Sequence, residues 1–120
     1  MLVLTHPLPT PSSLKVHITE MDVRCTPPCG ADRLALQAAI YGDILQACLN
    51  NTNCESFETW GVTDLYSWLW DFDNPKHVDM QPLLFSSTYE KKPAYFEVLA
   101  VLQMEAERRE AVGGKQAHRA

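Results

Sequence analysis

The sequence lacks long apolar runs and an excess of positive charge. No segment approaches the roughly 18 consecutive apolar residues that a membrane-spanning helix requires, so we expect no membrane partner. Ten Lys and Arg residues stand against 15 Asp and Glu residues, which gives a net charge of −5. Such a chain has no general attraction for phosphate backbones, so we expect no nucleic acid partner either. A neutral ligand suits this charge.

The chain is also short, and its first residues do not resemble a signal peptide. With 120 residues the chain holds one domain at most, and it contains no internal repeat. Met1–Leu4 is too short to be a signal peptide and lacks a basic segment. If the whole protein is secreted, we expect its signal to lie upstream. Residues 1–13 form an irregular Pro-rich lead-in, because Pro7, Pro9 and Pro11 forbid a helix and remove ladder donors.

The stretch Lys15–Arg24 predicts a short, largely apolar strand of the kind that is covered on both faces in a parallel sheet. Near its C-terminal end it carries two carboxylates, Glu20 and Asp22. Their spacing of two places both side chains on one face of the strand. Burying carboxylates there is costly unless something compensates, and chemistry is one such compensation. His17 lies on the opposite face, where we expect a packed histidine rather than a catalytic one, and we assign it no role.

A helix and a second strand are predicted next. Asp32 offers an N-cap for a helix over residues 33–49. Apolar residues at steps of three and four should pack this helix on the sheet, namely Leu34, Ala38, Tyr41, Ile44, Leu45 and Cys48. Residues 57–62 predict the second strand. The loop that follows, residues 63–91, is long, and loops of that length in compact domains tend to be functional.

A last helix is predicted over residues 93–110. Pro93 suits its first turn, and Tyr95, Leu99 and Leu102 form its apolar stripe. Gly113-Gly114 then releases a charged tail. The order strand, helix, strand, helix is one βαβα unit, which is typical of the α/β class.

Four cysteines, at positions 25, 29, 48 and 54, allow three disulfide pairings. Pairing Cys25 with Cys29 would lock the Pro27-Pro28 loop. Free thiols and a zinc site are the alternatives, although a C-x3-C pair followed by a C-x5-C pair does not give the series of C-x2–4-C pairs that zinc sites favour. We favour disulfides, which imply an extracellular setting. The triplet Asn50-Asn51-Thr52 is an N-glycosylation sequon in a predicted surface turn and agrees with that setting, but such triplets are common by chance.

Three blocks of the sequence resemble glycoside hydrolase family 10, the retaining endo-β-1,4-xylanases. Ile18–Asp22 is similar to that family's nucleophile strand, and Trp60–Trp68 to its final barrel strand with the loop after it. Pro82–Phe85 and Lys92–Tyr95 are similar to the lead-in to its last helix. The order and spacing of the blocks fit the family from about Leu14 to about Met104.

The resemblance implies an incomplete fold. An eight-stranded (β/α)8 barrel needs about 250 residues, so this chain would be its C-terminal quarter, with about two strands and two helices. Residues 14–104 would then be a partial catalytic domain. Residues 105–120 would be the end of the last helix and a charged tail. In such barrels the catalytic groups lie at the C-terminal ends of the strands, where Glu20 and Asp22 are placed.

The resemblance makes Glu20 the nucleophile of a retaining glycosidase. Such an enzyme needs a second carboxyl group about 5–5.5 Å away as acid/base. In the family that group lies on the fourth strand, in a segment absent here, so we expect this chain alone to be nearly inactive. Glu58 shares a face with Trp60 but lies nearer the barrel floor, and we do not assign it that role. Without the resemblance, a strand-end carboxylate in a surface salt bridge would be the simpler interpretation of Glu20.

By the same resemblance Trp60 and Trp68 wall the sugar next to the cleavage point, since flat indoles suit the apolar faces of sugar rings. Core packing is the alternative, and it is the only interpretation for Trp70, which has no matched position. Asp22 belongs to the polar surround of the site and could hold a positive partner, and the alternative is a solvated carboxylate at the strand end. Ser86 stands where the family often has Asp, which bears on local loop contacts.

The resemblance also implies the ligand and the setting. We expect a polysaccharide substrate, xylan or a related β-1,4-glycan, with no cofactor, no metal and an extracellular location. A disulfide between Cys48 and Cys54 is similar to one found in part of the family. The alternative to an enzyme fragment is a truncated or decayed product that binds carbohydrate weakly or pairs with other pieces of a barrel.

Overall fold

The computed structural model describes residues 14–69 and 80–117, with side chains through residue 113. The Pro-rich lead-in, Trp70, residues 71–79 of the long loop and the end of the charged tail lie outside the described residues.

Two parallel strands and two helices make up the described fold. Strand β1 runs over Val16–Met21, helix α1 over Ala31–Leu49 and strand β2 over Cys54–Thr59. A short 3₁₀ helix at Asp64–Tyr66 precedes the last helix, α2, over Pro93–Ala117. The strands pair in parallel through the α1 crossover, with Val16 opposite Cys54 and Met21 opposite Thr59. The predicted βαβα order is therefore confirmed. No helix in the described part of the chain is long and apolar enough to cross a membrane.

The core lies between the sheet and the two helices. Met21 of β1, Ala38 and Tyr41 of α1 and Ala94 of α2 are buried together. Half-buried apolar residues pack around them, namely Ile18, Val23, Ile40, Ile44, Phe57, Leu84 and Val98. The apolar stripe predicted for α1 is confirmed at four of its positions, since Ala38, Tyr41, Leu45 and Cys48 are all buried. One layer of helices thus covers one face of the sheet.

Helix α1 and strand β2 both begin earlier than predicted. The N-cap of α1 is Gly30, which makes no side-chain capping bond, and Asp32 lies in the first helical turn. There its charge favours the positive end of the helix dipole, so Asp32 helps the helix start without capping it. Strand β2 begins at Cys54 and ends before Trp60. Gly61 follows with φ +127°, a conformation that takes the chain out of the strand.

The apolar stripe predicted for the last helix is wrong by one residue. Leu99 and Leu102 are 38% and 45% exposed. The buried face instead carries Ala94, Val101 and Glu105, the same helical spacing rotated by one position. Helices α1 and α2 approach closely at Gly42, where the Glu97 side chain packs on the glycine. A Cβ built on Gly42 would lie 2.8 Å from Glu97 Cγ.

The end of α2 also differs from the prediction. The helix continues through Gly113-Gly114 to Ala117, although glycine disfavours helix interiors. Ahead of the glycines, Glu105 pairs with both Arg108 and Arg109, with N–O distances of 2.7 and 2.6 Å. Such pairs at three and four positions stabilise the helix as it leaves the core.

All four cysteines are paired. Cys25 is bonded to Cys29, and Cys48 to Cys54. The predicted disulfides are thereby confirmed, and the zinc and free-thiol alternatives do not apply to these cysteines. Cys48–Cys54 fastens the end of α1 to the start of β2, and Cys25–Cys29 closes the loop after β1. Closing loops of this kind stabilises a fold by reducing the entropy of the unfolded chain.

Candidate active site at the C-terminal ends of the strands

The two strands bring the predicted site residues to one end of the sheet. Glu20 is exposed one residue before the end of β1, and Asp22 is half-buried just after it. Trp60 is the first residue after β2, and its backbone amide donates to the Met21 carbonyl at 3.2 Å. This bond continues the pairing of the strands, so Trp60 lies beside the segment that carries both carboxylates.

Trp68 reaches the same place from the loop after β2. Its indole nitrogen donates to Asp22 Oδ2 at 2.6 Å. Trp60 and Trp68 remain 49% and 46% exposed, so neither ring is absorbed into the core of the described chain. Two indoles with free surface therefore stand next to a strand end that holds two carboxylates.

Asp22 carries the most unusual electrostatics of the site. Burial raises the pKa of its carboxyl group, and the nearby charge of Glu20 raises it further, while the hydrogen bond from Trp68 lowers it. Its other oxygen, Oδ1, is buried and has no hydrogen-bond partner among the described residues. A buried acceptor without a donor is costly. Within the described part of the chain, Asp22 Oδ1 therefore lacks the hydrogen bond that would offset its burial.

A buried ion pair holds the loop that presents the indoles. Lys92 Nζ lies 3.0 Å from Asp64 Oδ2, and the two side chains are 5% and 0% exposed. Lys92 also donates to the carbonyls of Gln81 and Leu83, at 2.6 and 2.7 Å. In return, the Leu83 amide donates to Asp64 Oδ1 at 2.7 Å. The start of α2 and the segment around Leu83 are thus fastened to the loop between Trp60 and Trp68.

Two polar residues of α1 hold the backbone at the end of β1 through hydrogen bonds. Gln37 Nε2 donates to the carbonyls of Val23 and Gln81, at 2.5 and 2.6 Å. The Tyr41 hydroxyl donates to the Pro82 carbonyl at 2.8 Å and lies 3.4 Å from that of Met21. Burial raises the pKa of Tyr41, which keeps the hydroxyl protonated as a donor. These bonds set the position of the backbone on which Glu20 and Asp22 stand.

Sequence reasoning missed Asp64, Lys92 and Gln37 as supporting residues. Asp64 and Lys92 are 28 positions apart, and nothing in the spacing indicates that both are buried. Gln37 lies on the apolar side of α1. A polar residue in such a position indicates a hydrogen bond to the backbone, so the role of Gln37 could have been predicted from the sequence. Tyr41 was predicted as a core residue, but the role of its hydroxyl was not.

The remaining candidates lie away from the indoles. His17 is exposed near the start of β1, where its ring bonds Ser56 at 3.0 Å and lies 3.5 Å from Glu55. The expectation of a packed histidine is therefore wrong. Glu58 is exposed on β2. The Ser86 hydroxyl accepts from the backbone amides of Thr88 and Glu90 at 3.2 and 3.0 Å, which closes the turn where the family often has Asp.

A comparison with known families shows to which family this chain belongs. The sequence profile described as "Glycosyl hydrolase family 10" matches residues 9–101, more than three quarters of the chain. The chain belongs to glycosyl hydrolase family 10. The matched residues include Glu20, Asp22, Trp60 and Trp68, and they begin within the Pro-rich lead-in, before Leu14.

Curated relatives in family 10 are xylanases. Endo-1,4-beta-xylanase 2 of Aureobasidium pullulans is 36% identical over 94 residues, which cover 78% of this chain and 25% of the relative. Endo-1,4-beta-xylanase B of Neocallimastix patriciarum is 38% identical over 93 residues, covering 78% of this chain and 9% of the relative. The chain therefore spans a quarter or less of these two relatives.

Solved structures confirm the predicted fold class. Native xylanase 10B from Thermotoga maritima superposes with a TM-score of 0.71 at 34% identity, covering 79% of this chain and 29% of that structure. Xylanase 10B from Thermotoga petrophila RKU-1, crystallised with xylobiose, gives 0.69 at 36% identity, covering 77% and 28%. The two strands and two helices are thus part of a family 10 barrel and do not close a barrel themselves.

Proposed function

We propose that this chain carries the nucleophile and one aromatic wall of a retaining endo-1,4-beta-xylanase, with Glu20 as the nucleophile. The hydrogen bond from Trp68 to Asp22, 2.6 Å long, is the observation that supports the proposal most directly. It brings the loop after β2 onto the strand end that holds Glu20. A sugar lying on the indoles would then have its reacting carbon near that carboxylate.

The chemistry assigned to Glu20 is displacement at the anomeric carbon. Its carboxylate is exposed and makes no hydrogen bond or ion pair within the described residues, so substrate can reach it. Attack forms a glycosyl-enzyme, while a second carboxyl group about 5–5.5 Å away protonates the leaving oxygen and later activates water. The neighbouring charge of Asp22 would favour the positive charge that develops on the sugar.

We propose that the second carboxyl group comes from another part of the barrel. Glu58, the other carboxylate on the strands near Trp60, lies two residues before it on β2 and thus toward the floor of the barrel. In the whole enzyme the acid/base would face Glu20 across the cleft. Losing a general acid alone costs about 10²–10⁴-fold in rate, so this chain by itself should hydrolyse xylan very slowly.

The proposed ligand is xylan or a related β-1,4-glycan. Trp60 and Trp68 each expose about half of an indole, and indoles stack on the C–H faces of sugars. The xylobiose bound by the Thermotoga petrophila relative supports a xylan-type sugar. The two disulfides support an extracellular location, where such bonds persist.

A chimera tests the nucleophile. Residues 14–104 would replace the corresponding quarter of Thermotoga maritima xylanase 10B, with folding checked by circular dichroism. Glu20→Ala should abolish xylan hydrolysis. Added azide should then restore turnover and give the α-glycosyl azide, because azide occupies the face that the carboxylate left. Glu58→Ala is the matched control and should keep most activity. Hydrolysis that survives in Glu20→Ala would refute the assignment.

A second function, carbohydrate binding without cleavage, is favoured for the isolated chain by one observation. No hydrogen bond within the described residues holds the Glu20 carboxylate in an attacking position, whereas about half of each indole side chain is exposed. Titrating the ¹⁵N-labelled chain with xylotetraose should shift the indole N–H signals of Trp60 and Trp68 without releasing shorter sugars. Trp60→Ala should weaken this binding. Absence of any shift would refute this second function.

A further inference from the structure

The turn between α1 and β2 contains the one Asn-x-Ser/Thr triplet of the sequence, Asn50-Asn51-Thr52. The turn is well fixed. The Asn51 amide donates to the Cys48 carbonyl, and the Cys54 amide donates to the Asn51 carbonyl, both at 3.0 Å. The Cys48–Cys54 disulfide closes the same turn. The triplet is therefore presented in a defined conformation at the surface.

The two neighbouring asparagines differ in what their side chains do. Asn51 Nδ2 donates to the Ala47 carbonyl at 2.7 Å. Asn50 is exposed, and its Oδ1 accepts from Gln46 Nε2 at 3.1 Å. Within the described residues its Nδ2 has no acceptor. Thr52 is exposed, and its hydroxyl makes no hydrogen bond in that part of the chain. The nitrogen and the hydroxyl that define an N-glycosylation acceptor are both accessible.

This turn lies at the end of the sheet opposite to the candidate active site. The Val16 amide donates to the Asn53 carbonyl where the strands begin, whereas Trp60 pairs with Met21 where they end. A six-residue strand at about 3.3 Å per residue separates the two ends by about 20 Å. A bulky group on Asn50 would therefore leave the cleft between Glu20 and the indoles open.

We propose that Asn50 is an N-glycosylation site. Its Nδ2 would attack C1 of an oligosaccharide carried on a lipid pyrophosphate. A C–N bond forms, the C1–O bond to the pyrophosphate breaks, the lipid pyrophosphate leaves, and the amide nitrogen loses one proton. The glycan would stand at the N-terminal ends of the strands, beside the disulfide. The proposal rests on the α1–β2 turn and does not require Glu20 to be catalytic.

The test uses the whole 120-residue chain behind a cleavable leader in a yeast secretory host, with the membrane-enclosed and secreted pools analysed together. The wild-type chain should show one step of slower electrophoretic migration that endoglycosidase removes. Enzymatic release in heavy-oxygen water should convert Asn50 to a labelled Asp, as read by peptide mass spectrometry.

Matched variants separate the acceptor from its surroundings. Asn50→Gln and Thr52→Ala should abolish the step. Asn51→Gln and Thr52→Ser keep the triplet and should retain it, so they control for damage to the turn. The proposal is overturned if the wild-type chain migrates as a single unmodified species, or if the step persists in Asn50→Gln. A failure of Glu20 to act as nucleophile would leave all of these results unchanged.

Discussion

The indole nitrogen of Trp68 bonds the carboxylate of Asp22 across 46 positions of sequence, at 2.6 Å. Asp22 follows β1, and Trp68 belongs to the loop after β2. The bond therefore closes that loop over the strand end that carries Glu20. In the proposed enzyme it would hold the aromatic wall at a fixed distance from the nucleophile.

Replacing Trp68 with Phe keeps an aromatic ring and removes the donor. Because the hydrogen bond from Trp68 lowers the pKa of Asp22 against its burial, we expect this pKa to rise further in Trp68→Phe. Carboxyl ¹³C titration by NMR measures it directly. Trp60→Phe is the control, since no hydrogen bond joins Trp60 to that carboxylate among the described contacts. An unchanged Asp22 pKa in Trp68→Phe would contradict the geometry.

Asp22 should also make stability depend on pH. Burial, followed by the charge of Glu20, raises its pKa in the folded state, so the folded chain binds this proton more tightly than the unfolded chain does. The stability that this group contributes is present below its unfolded pKa and is lost as pH rises through the folded pKa. Asp22→Asn should remove that decline while still accepting from Trp68. Urea unfolding from acidic pH to neutrality measures the difference, and parallel pH profiles for the two proteins would refute it.

Glu105 should act in the opposite direction. Hydrogen bonds from Arg108, then from Arg109, lower the pKa of Glu105 to about 2. Its stabilising contribution is therefore present above the unfolded pKa and is lost as pH falls toward about 2. Glu105→Gln should be less stable than wild type at neutral pH and equal to it in strong acid. Glu107→Gln, an exposed neighbour, is the control, and a gap between Glu105→Gln and wild type that persists in acid would count against the ion pairs.

Breaking the buried Asp64–Lys92 pair should be severe. Lys92→Met removes the ammonium partner of the buried Asp64 carboxylate, and breaking a buried ion pair in this way typically costs about 3–5 kcal/mol. The double variant Lys92→Met, Asp64→Asn removes that charge and keeps an acceptor for the Leu83 amide, so it should recover part of the loss. Chemical denaturation of the four proteins in this cycle gives the coupling energy. Equal stability of the single and double variants would show that the pair does not act as described.

Much of the fold could be predicted from local sequence patterns. The α1 stripe was predictable because most of its apolar residues at helical spacing are also buried, among them Tyr41, Leu45 and Cys48. In α2 they are not. Ala94 and Val101 face the core, whereas Leu99 and Leu102 face outward, and the two helices approach closely where the Glu97 side chain packs on Gly42. That contact joins two distant segments and has no sign in the sequence of either one.

The candidate site likewise combines residues that were predicted from the sequence with residues that were not. Family motifs indicated Glu20, Asp22, Trp60 and Trp68, and the structure places all four at the same end of the sheet. The residues that support them were not predicted, because Asp64, Lys92 and Gln37 act through partners distant in sequence. Burial of a charge depends on the assembled fold. Residue type and spacing alone do not determine it.

The central claim is that Glu20 attacks the anomeric carbon of a β-1,4-xyloside. The most direct measurement is trapping with a 2-deoxy-2-fluoro-xylobioside that carries a good leaving group, in the chimera containing residues 14–104. After digestion, mass spectrometry should find one fluorosugar on the peptide that contains Glu20, and none in Glu20→Gln. A label on any other residue, or no label in a folded and active chimera, would contradict the assignment.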